Sequence, residues 1–337
     1  MWDKIADIIN EGKKFIITTH LFSEGDAIGS EIALKHFLIG LDKEAVIVNN
    51  EVLPTVYRYF DPDREIKFLK SKGFNIKLHD YDAIFIVDVA AWEQLGDFAE
   101  MIKASSITTV CIDHHPTNPG FADINVIDKD ASSAGELIFD LITHMHGEIT
   151  QEIANPLYLS IASDTGWFRF SNTSAKVFNI CSNLIKVGVK PQIIYEKVCQ
   201  NKHLSYLKLL SLTLGILRSE CEGRLVWTKI TREMIKSSGV EYVDTDVIID
   251  LIRAVDEVEV VIIFRELGEG KTKVGFRSKH TIDVSELASM FGGGGHVRAA
   301  GASLNEPMDI VIGKVLSEAK ELMEETTICV SSSGSPT

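Results

Sequence analysis

Val110-Cys111-Ile112-Asp113-His114-His115-Pro116 is the stretch whose reading decides the fold. Residues 108–112 are mostly β-branched and apolar, as a short buried strand requires. That strand stops in a carboxylate and two imidazoles, and Pro116 cannot continue a ladder. Polar groups at the end of a buried strand need partners. A divalent metal suits both imidazole nitrogen and carboxylate oxygen. The other reading is a solvated loop that carries two histidines. Successive residues of an extended chain point opposite ways, so one histidine can face a site while the other turns aside.

Working outward, residues 83–87 (Ala-Ile-Phe-Ile-Val) form a continuous apolar run of the kind buried in parallel sheets, and the run ends in Asp88. Phe15-Ile16-Ile17-Thr18-Thr19 ends in His20, with Glu24 and Asp26 shortly after. Further strands are expected at 44–49, 64–69 and 124–127, and helices at 3–12, 30–41, 92–104 and 133–145. Strand alternating with helix predicts an α/β fold, a doubly wound and mostly parallel sheet. In such sheets ligands sit beyond the carboxyl ends of the strands. His20, Asp88 and residues 113–115 all fall at strand ends, so separate readings converge on one rim. Asp26 can also be read as a helix cap, and Gly25 and Gly29 allow close backbone approach.

Beyond residue 150 the pattern turns helical. An apolar helix at 156–163 delivers Asp164, and an aromatic and basic loop follows to Thr173. A helix at 204–217 is long enough to bridge two domains. Strands return at 224–230, 258–264 and 271–277, the last two as a hairpin across residues 268–270, followed by a short helix at 285–291. Four successive glycines, 292–295, then lead into His296 and Arg298. Such a run can wrap an anion with backbone N–H groups, or it can be a floppy linker. Between 265 and 298 six Lys and Arg stand against four acids, so this segment is locally basic in an acidic chain. We expect a helix at 308–324 and a disordered polar tail at 326–337.

With 337 residues the chain is long enough for about two domains. The expected division is 1–187 for the first domain, 188–217 for a helical linker, 218–325 for a smaller α/β domain and 326–337 for the tail. A net charge of −14 argues against long duplex nucleic acid as a partner, which needs a broad basic face. It does not exclude a short phosphorylated ligand. The five cysteines include no C-x-x-C pair, which suits a reduced, cytoplasmic protein. Neither a signal peptide nor a membrane span is read in the sequence, so no membrane partner is expected.

With residues 113–115 and 292–301 both in view, the chain resembles the DHH family of phosphoesterases, in the branch that carries a DHHA1 domain. It is most similar to the NrnA-type oligoribonucleases, which also act on 3′-phosphoadenosine 5′-phosphate. The motifs that carry the likeness are 20–30, 87–88, 113–115, 162–166 and 292–301, in that order along nearly the whole chain. The resemblance implies a first, DHH domain and a second, DHHA1 domain. It implies two Mn²⁺ ions, with Mg²⁺ or Co²⁺ as substitutes, and a homodimer. By the family pattern His20, the residue at 24 and Asp88 hold one ion. Asp26, Asp88, His114 and Asp164 hold the other. His115 faces the substrate phosphate and Asp113 orients it. Arg277, Ser278, Gly294, Gly295, His296 and Arg298 grip the nucleotide.

The implied reaction is hydrolysis of short oligoribonucleotides, or of 3′-phosphoadenosine 5′-phosphate to AMP, by a hydroxide bridging the two ions. One departure stands out. The family has Pro-Asp where this chain has Ser23-Glu24, and the extra methylene moves the carboxylate by about 1.5 Å. Two alternatives follow, a cyclic-dinucleotide phosphodiesterase and a nucleotide-binding sensor whose impaired metal site binds without cutting.

Overall fold

The computed structural model describes residues 2–332 apart from 22, 241, 242, 244, 269 and 281; for 296 and 325–332 it describes the backbone alone. The chain divides into two compact units, Met1–Asn201 and Lys202–Thr337.

The first unit is built on six parallel strands: β1 (Lys14–Thr18), β2 (Glu44–Asn49), β3 (Lys67–Phe68), β4 (Ala83–Val87), β5 (Thr108–Asp113) and β6 (Ile124–Ile127). Their order across the sheet is β3-β2-β1-β4-β5-β6. Every residue of β4 is buried, because helices cover both faces of the sheet. Side chains of a strand alternate, and the two faces divide accordingly. Ala83, Phe85 and Val87 join Phe15, Ile17, Val110 and Ile112 in the larger core. Ile84 and Ile86 join Ile16 on the opposite face. The larger core is closed by α1 (Asp3–Glu11), α2 (Gly25–Gly40), α4 (Ala134–His144), α5 (Gln151–Asp164) and α6 (Ala175–Val187). The smaller face is closed by α3 (Asp97–Lys103) through Phe98, Ala99 and Ile102. Helix α2 crosses α5 so closely that a Cβ on Gly29 would collide with the Pro156 carbonyl. The chain winds outward from β1 to β3, returns to β4 beside β1, and winds outward again to β6. The strand order therefore reverses between β1 and β4.

The short α7 (Pro191–Cys199) ends this unit. Helix α8 (Leu204–Leu214), expected to bridge two domains, instead buries Tyr206 and Leu209 in the second unit. Its apolar face matches Val226, Ile249 and Val261 there.

The second unit has a mixed sheet of β7 (Arg218–Glu220), β8 (Leu225–Ile230), β9 (Val260–Gly268), β10 (Lys271–Ser278), β11 (Gly294–His296) and β12 (Ala299–Leu304), in the order β11-β12-β10-β9-β8-β7. Strands β8 and β9 run parallel, and β9–β10 is the expected hairpin. Along β9, Val260, Ile262 and Phe264 face α11 (Val284–Met290) and α12 (Met308–Ser332). Val261 and Ile263 face α8 and α10 (Asp246–Arg253). Helix α9 (Arg232–Ser238) follows β8. Helix α12 runs past residue 325, where a disordered tail was expected. Neither glycine nor proline occurs between Lys314 and Ser333 to stop a helix. Of that expected tail, residues 333–337 lie outside the described residues.

Candidate metal centre

The carboxyl ends of β1, β4 and β5 meet at the point where the strand order reverses. That crevice is where doubly wound sheets bind ligands. Asp88 stands at its centre, just past β4, with its backbone in the left-handed region at φ +58°. Aspartate tolerates this better than most residues, yet the conformation is strained. One carboxylate oxygen, Oδ2, faces His20 Nε2 at 3.5 Å. The other, Oδ1, faces His114 Nε2 at 3.5 Å and His115 Nδ1 at 3.6 Å. Oδ1 is buried without a donor in hydrogen-bonding geometry. His20 Nδ1 is tied to the Leu21 carbonyl, which leaves Nε2 as the lone-pair nitrogen of the neutral ring. In that neutral form a lone pair faces a carboxylate, and a cation between them, a proton or a metal ion, would relieve the contact. Two donors on one ion lie roughly 3.0–3.5 Å apart, and these separations fit that spacing.

Asp26 is held from four directions. Its Oδ1 accepts from Ser30 Oγ at 3.0 Å, Ser160 Oγ at 2.5 Å and the Gly135 amide at 3.2 Å. Its Oδ2 accepts from the Ala134 amide at 2.8 Å and lies 3.5 Å from His114 Nε2. The carboxylate is thus a helix cap after all, but for α4 rather than for its own helix. Asp164, the last residue of α5, lies with Oδ2 3.9 Å from His114 Nε2 and receives Asn172 Nδ2 at 3.3 Å. Among the described residues, the ligand atoms of Asp88, His114 and His115 lie within 4.8 Å of one another, as do those of Asp26, His114 and Asp164.

Asp113 is fully buried and turned away from this cluster. His115 Nδ1 donates to its Oδ1 at 2.7 Å, and Asn118 Nδ2 donates to its Oδ2 at 2.7 Å. The contact fixes which imidazole nitrogen carries the proton and leaves Nε2 for other work.

The charges fit a cation site. Burial disfavours the His20 imidazolium, but the Asp88 carboxylate outweighs it and raises its pKa to about 9. Against the same burial, Asp88, Asp26 and Asp164 raise that of His114 to about 10. Asp88 stays well below the usual carboxylate range in spite of burial, because both imidazoles face it. Asp26 and Asp164 are pushed up, first by burial and then by neighbouring carboxylates. Three carboxylates in so small a space repel one another, and divalent cations relieve that repulsion. Oxygen and imidazole donors suit Mn²⁺ and its first-row neighbours.

Glu24 is exposed at the start of α2 and acts on His20 through its charge; it falls outside the two close clusters. In the second unit Arg277 pairs with Asp246 at 2.5 Å, and Arg298 Nη1 donates to the Ile282 carbonyl at 2.8 Å. Ser278 Oγ donates to the same carbonyl at 2.7 Å. The glycine run is neither a linker nor a free loop. β11 pairs with β12, and a Cβ on Gly293 would collide with the Gly301 carbonyl. Gly295, at φ +144°, backs onto Ala299 and Ala300, while Gly294 faces open space. Of His296 the backbone alone is described, as the end of β11.

Several groups here carry no sequence signal. Ser160, Asn118, Asn172 and the amides of Ala134 and Gly135 matter through contacts that the fold creates. The loop after Asp164 is also unusual. Gly166, Trp167 and Phe168 follow one another at φ +57°, +58° and +67°. For two bulky residues this conformation costs about 1–2 kcal/mol each. It turns Trp167 against Tyr195, and Phe168 against Tyr158 and Phe178.

Residues 14–161 match the model of the DHH family, N-terminal domain, and residues 228–325 match that of the DHHA1 domain. The bifunctional oligoribonuclease and PAP phosphatase NrnA of Thermus thermophilus is 32% identical over 331 residues, 95% of this chain and 94% of that protein. The protein of the same name from Bacillus subtilis is 25% identical, covering 86% of this chain and 88% of its own. The crystal structure of an exopolyphosphatase-related protein from Bacteroides fragilis superposes with a TM-score of 0.90 at 25% identity, over 97% of this chain and 96% of its own. Among the described residues no helix is long and apolar enough to cross a membrane.

Proposed function

The chain belongs to the DHH family, with a DHHA1 domain as its second part, and from that premise we propose that it is a two-metal phosphoesterase of short oligoribonucleotides. It would cut them to mononucleotides and also convert 3′-phosphoadenosine 5′-phosphate to AMP. Asp88 is the observation that carries this reading. Its two oxygens face imidazoles on opposite sides, the disposition of a carboxylate shared by two ions. His20, Glu24 and Asp88 would hold one ion, and Asp26, Asp88, His114 and Asp164 the other. Mn²⁺ is the ion of choice, with Mg²⁺ or Co²⁺ as substitutes. When bound, the ions supply Lewis acidity at the phosphate and make an attacking water acidic enough to react near neutral pH.

The remaining work falls to the chain's own groups. Asp113 holds His115 by Nδ1, so Nε2 is available to bond the phosphate or protonate the leaving oxygen. Arg277, Ser278, Gly294, Gly295, His296 and Arg298 would bind the nucleotide's terminal phosphate or base. We also propose a homodimer working in the cytoplasm. Buried thiols at Cys111 and Cys181 are in keeping with a reducing compartment.

A side-by-side panel in Mn²⁺ tests the reading. It comprises a 5′-phosphorylated diribonucleotide, a longer oligoribonucleotide, 3′-phosphoadenosine 5′-phosphate, a cyclic dinucleotide and pyrophosphate. Preference for the diribonucleotide supports it, and turnover of pyrophosphate alone overturns it. The exposed position of Glu24 favours one second reading, a nucleotide sensor with a weak first ion. Binding of nucleotide without turnover in saturating Mn²⁺ would select that reading.

A further inference from the structure

Two of the three aromatic rings in the loop after Asp164 are packed away, and the third is displayed. Trp167 meets Tyr195 edge-on, and Phe168 lies against Tyr158 and Phe178. Phe170 remains 43% exposed. Its ring lies across the backbone of Gly166, close enough that a Cβ there would strike the ring at 2.5 Å. The Arg169 guanidinium carbon stands 5.7 Å from the ring centroid. The loop is also tied to the candidate metal centre. The Phe170 amide donates to the Thr165 carbonyl at 3.0 Å. Asn172 Nδ2 reaches both the carbonyl and Oδ2 of Asp164, at 3.2 and 3.3 Å. The loop that carries the ring is therefore fastened to Asp164, one of the carboxylates of that centre.

We propose that Phe170, backed by Arg169, is a stacking platform for a nucleobase flanking the scissile phosphate. The inference rests on the phosphoesterase reading above and adds a subsite to it. An exposed, anchored aromatic face beside a phosphate-processing centre is what base stacking requires, and a neighbouring guanidinium strengthens such a contact. The left-handed run at 166–168 serves this display. It sends Trp167 and Phe168 into packing and brings Phe170 back over Gly166. Every base has a π-face, so the platform tolerates any base and favours the larger purines.

The test compares 5′-phosphorylated diribonucleotides in Mn²⁺: the intact substrate, one abasic at the first position and one abasic at the second. With the unmodified protein, kcat/KM is expected to fall about tenfold for one of the two abasic substrates. In Phe170→Ala that ratio of intact to abasic should collapse, and in Phe170→Trp it should return. Phe170→Leu, which keeps bulk over Gly166 without a π-face, should collapse it too and decides the matter if the alanine variant does not fold. Equal turnover of intact and abasic substrates overturns the platform alone, as does a ratio that survives in Phe170→Leu. Failure of the unmodified protein to cut any of the three overturns the phosphoesterase reading, and the platform with it.

Discussion

The metal rim of the first sheet and the glycine rim of the second are built on opposite plans. In the first, the central carboxylates Asp26 and Asp88 are buried, and donors from distant parts of the chain converge on the rim. Asp26 alone draws on Ser30, Ala134, Gly135 and Ser160. In the second, the cations already have partners of their own, Asp246 for Arg277 and the Ile282 carbonyl for Arg298. The first rim is set in place before any ligand arrives. The second would have to exchange partners to serve the nucleotide role proposed for it. Rigid groups favour geometry, and exchangeable groups favour adaptable binding at a cost in affinity.

The largest effect should come from the centre of the first rim. Asp88→Asn keeps a side chain that tolerates the left-handed backbone but removes the shared charge. Hydrolysis should fall by about 10³-fold or more, and bound Mn²⁺, counted by elemental analysis, should drop below two per chain. Substantial activity in this variant would mean that the rim is not organised around Asp88.

Next comes the response of the metal-free protein to pH. His20 and His114 have folded-state pKa values of about 9 and 10 against an ordinary 6.5. Their contribution to stability is fully present below pH 6.5 and is lost as pH rises through 9 and 10. Chemical denaturation of the chelated protein should show a loss of roughly a few kcal/mol between pH 7 and 10. Saturating Mn²⁺ should flatten that slope up to pH 9. The same slope with and without Mn²⁺ would separate the imidazoles from the ions.

Glycine substitutions contrast the rims directly. Gly29→Ala forces α2 away from the Pro156 carbonyl and should cost about 2–3 kcal/mol. Gly294→Ala meets open space and should change the stability measured by denaturation by less than about 0.5 kcal/mol. Ser160→Ala removes one donor from Asp26 and should weaken Mn²⁺ binding about 10–100-fold in a calorimetric titration. The smallest effect belongs to the second rim. Asp246→Ala frees Arg277 from its competitor and should lower KM for a diribonucleotide about two- to fivefold. A raised KM would show that Asp246 positions the arginine rather than masking it.

What could be read from the sequence followed local pattern. The runs at 83–87 and 108–112 are apolar and short, and Asp88 and Asp113 end them, so a sheet rim carrying imidazoles and carboxylates was legible. Asp26 was only half legible. A helix-capping role can be read from its type, but the capped helix starts more than a hundred residues later. The glycine run was read as backbone with room to wrap an anion, but the close approach of β12 that requires Gly293 is a tertiary fact. Helix α8 has the length of a bridge, and only its match to Val226 and Ile249 assigns it to the second unit. Glu24 was read from its place in a motif, and spacing alone could not say that it lies exposed.

Asp26 carries a consequence beyond chemistry. The two amides it holds, Ala134 and Gly135, begin α4, and the hydroxyl it holds, Ser160, lies on α5. One carboxylate thus fastens three helices. A descendant of this chain that abandoned its reaction would be free to lose His20 or Asp164, but losing Asp26 would loosen its core. The residue would outlast the activity, and its persistence in a relative would testify to ancestry more surely than to catalysis.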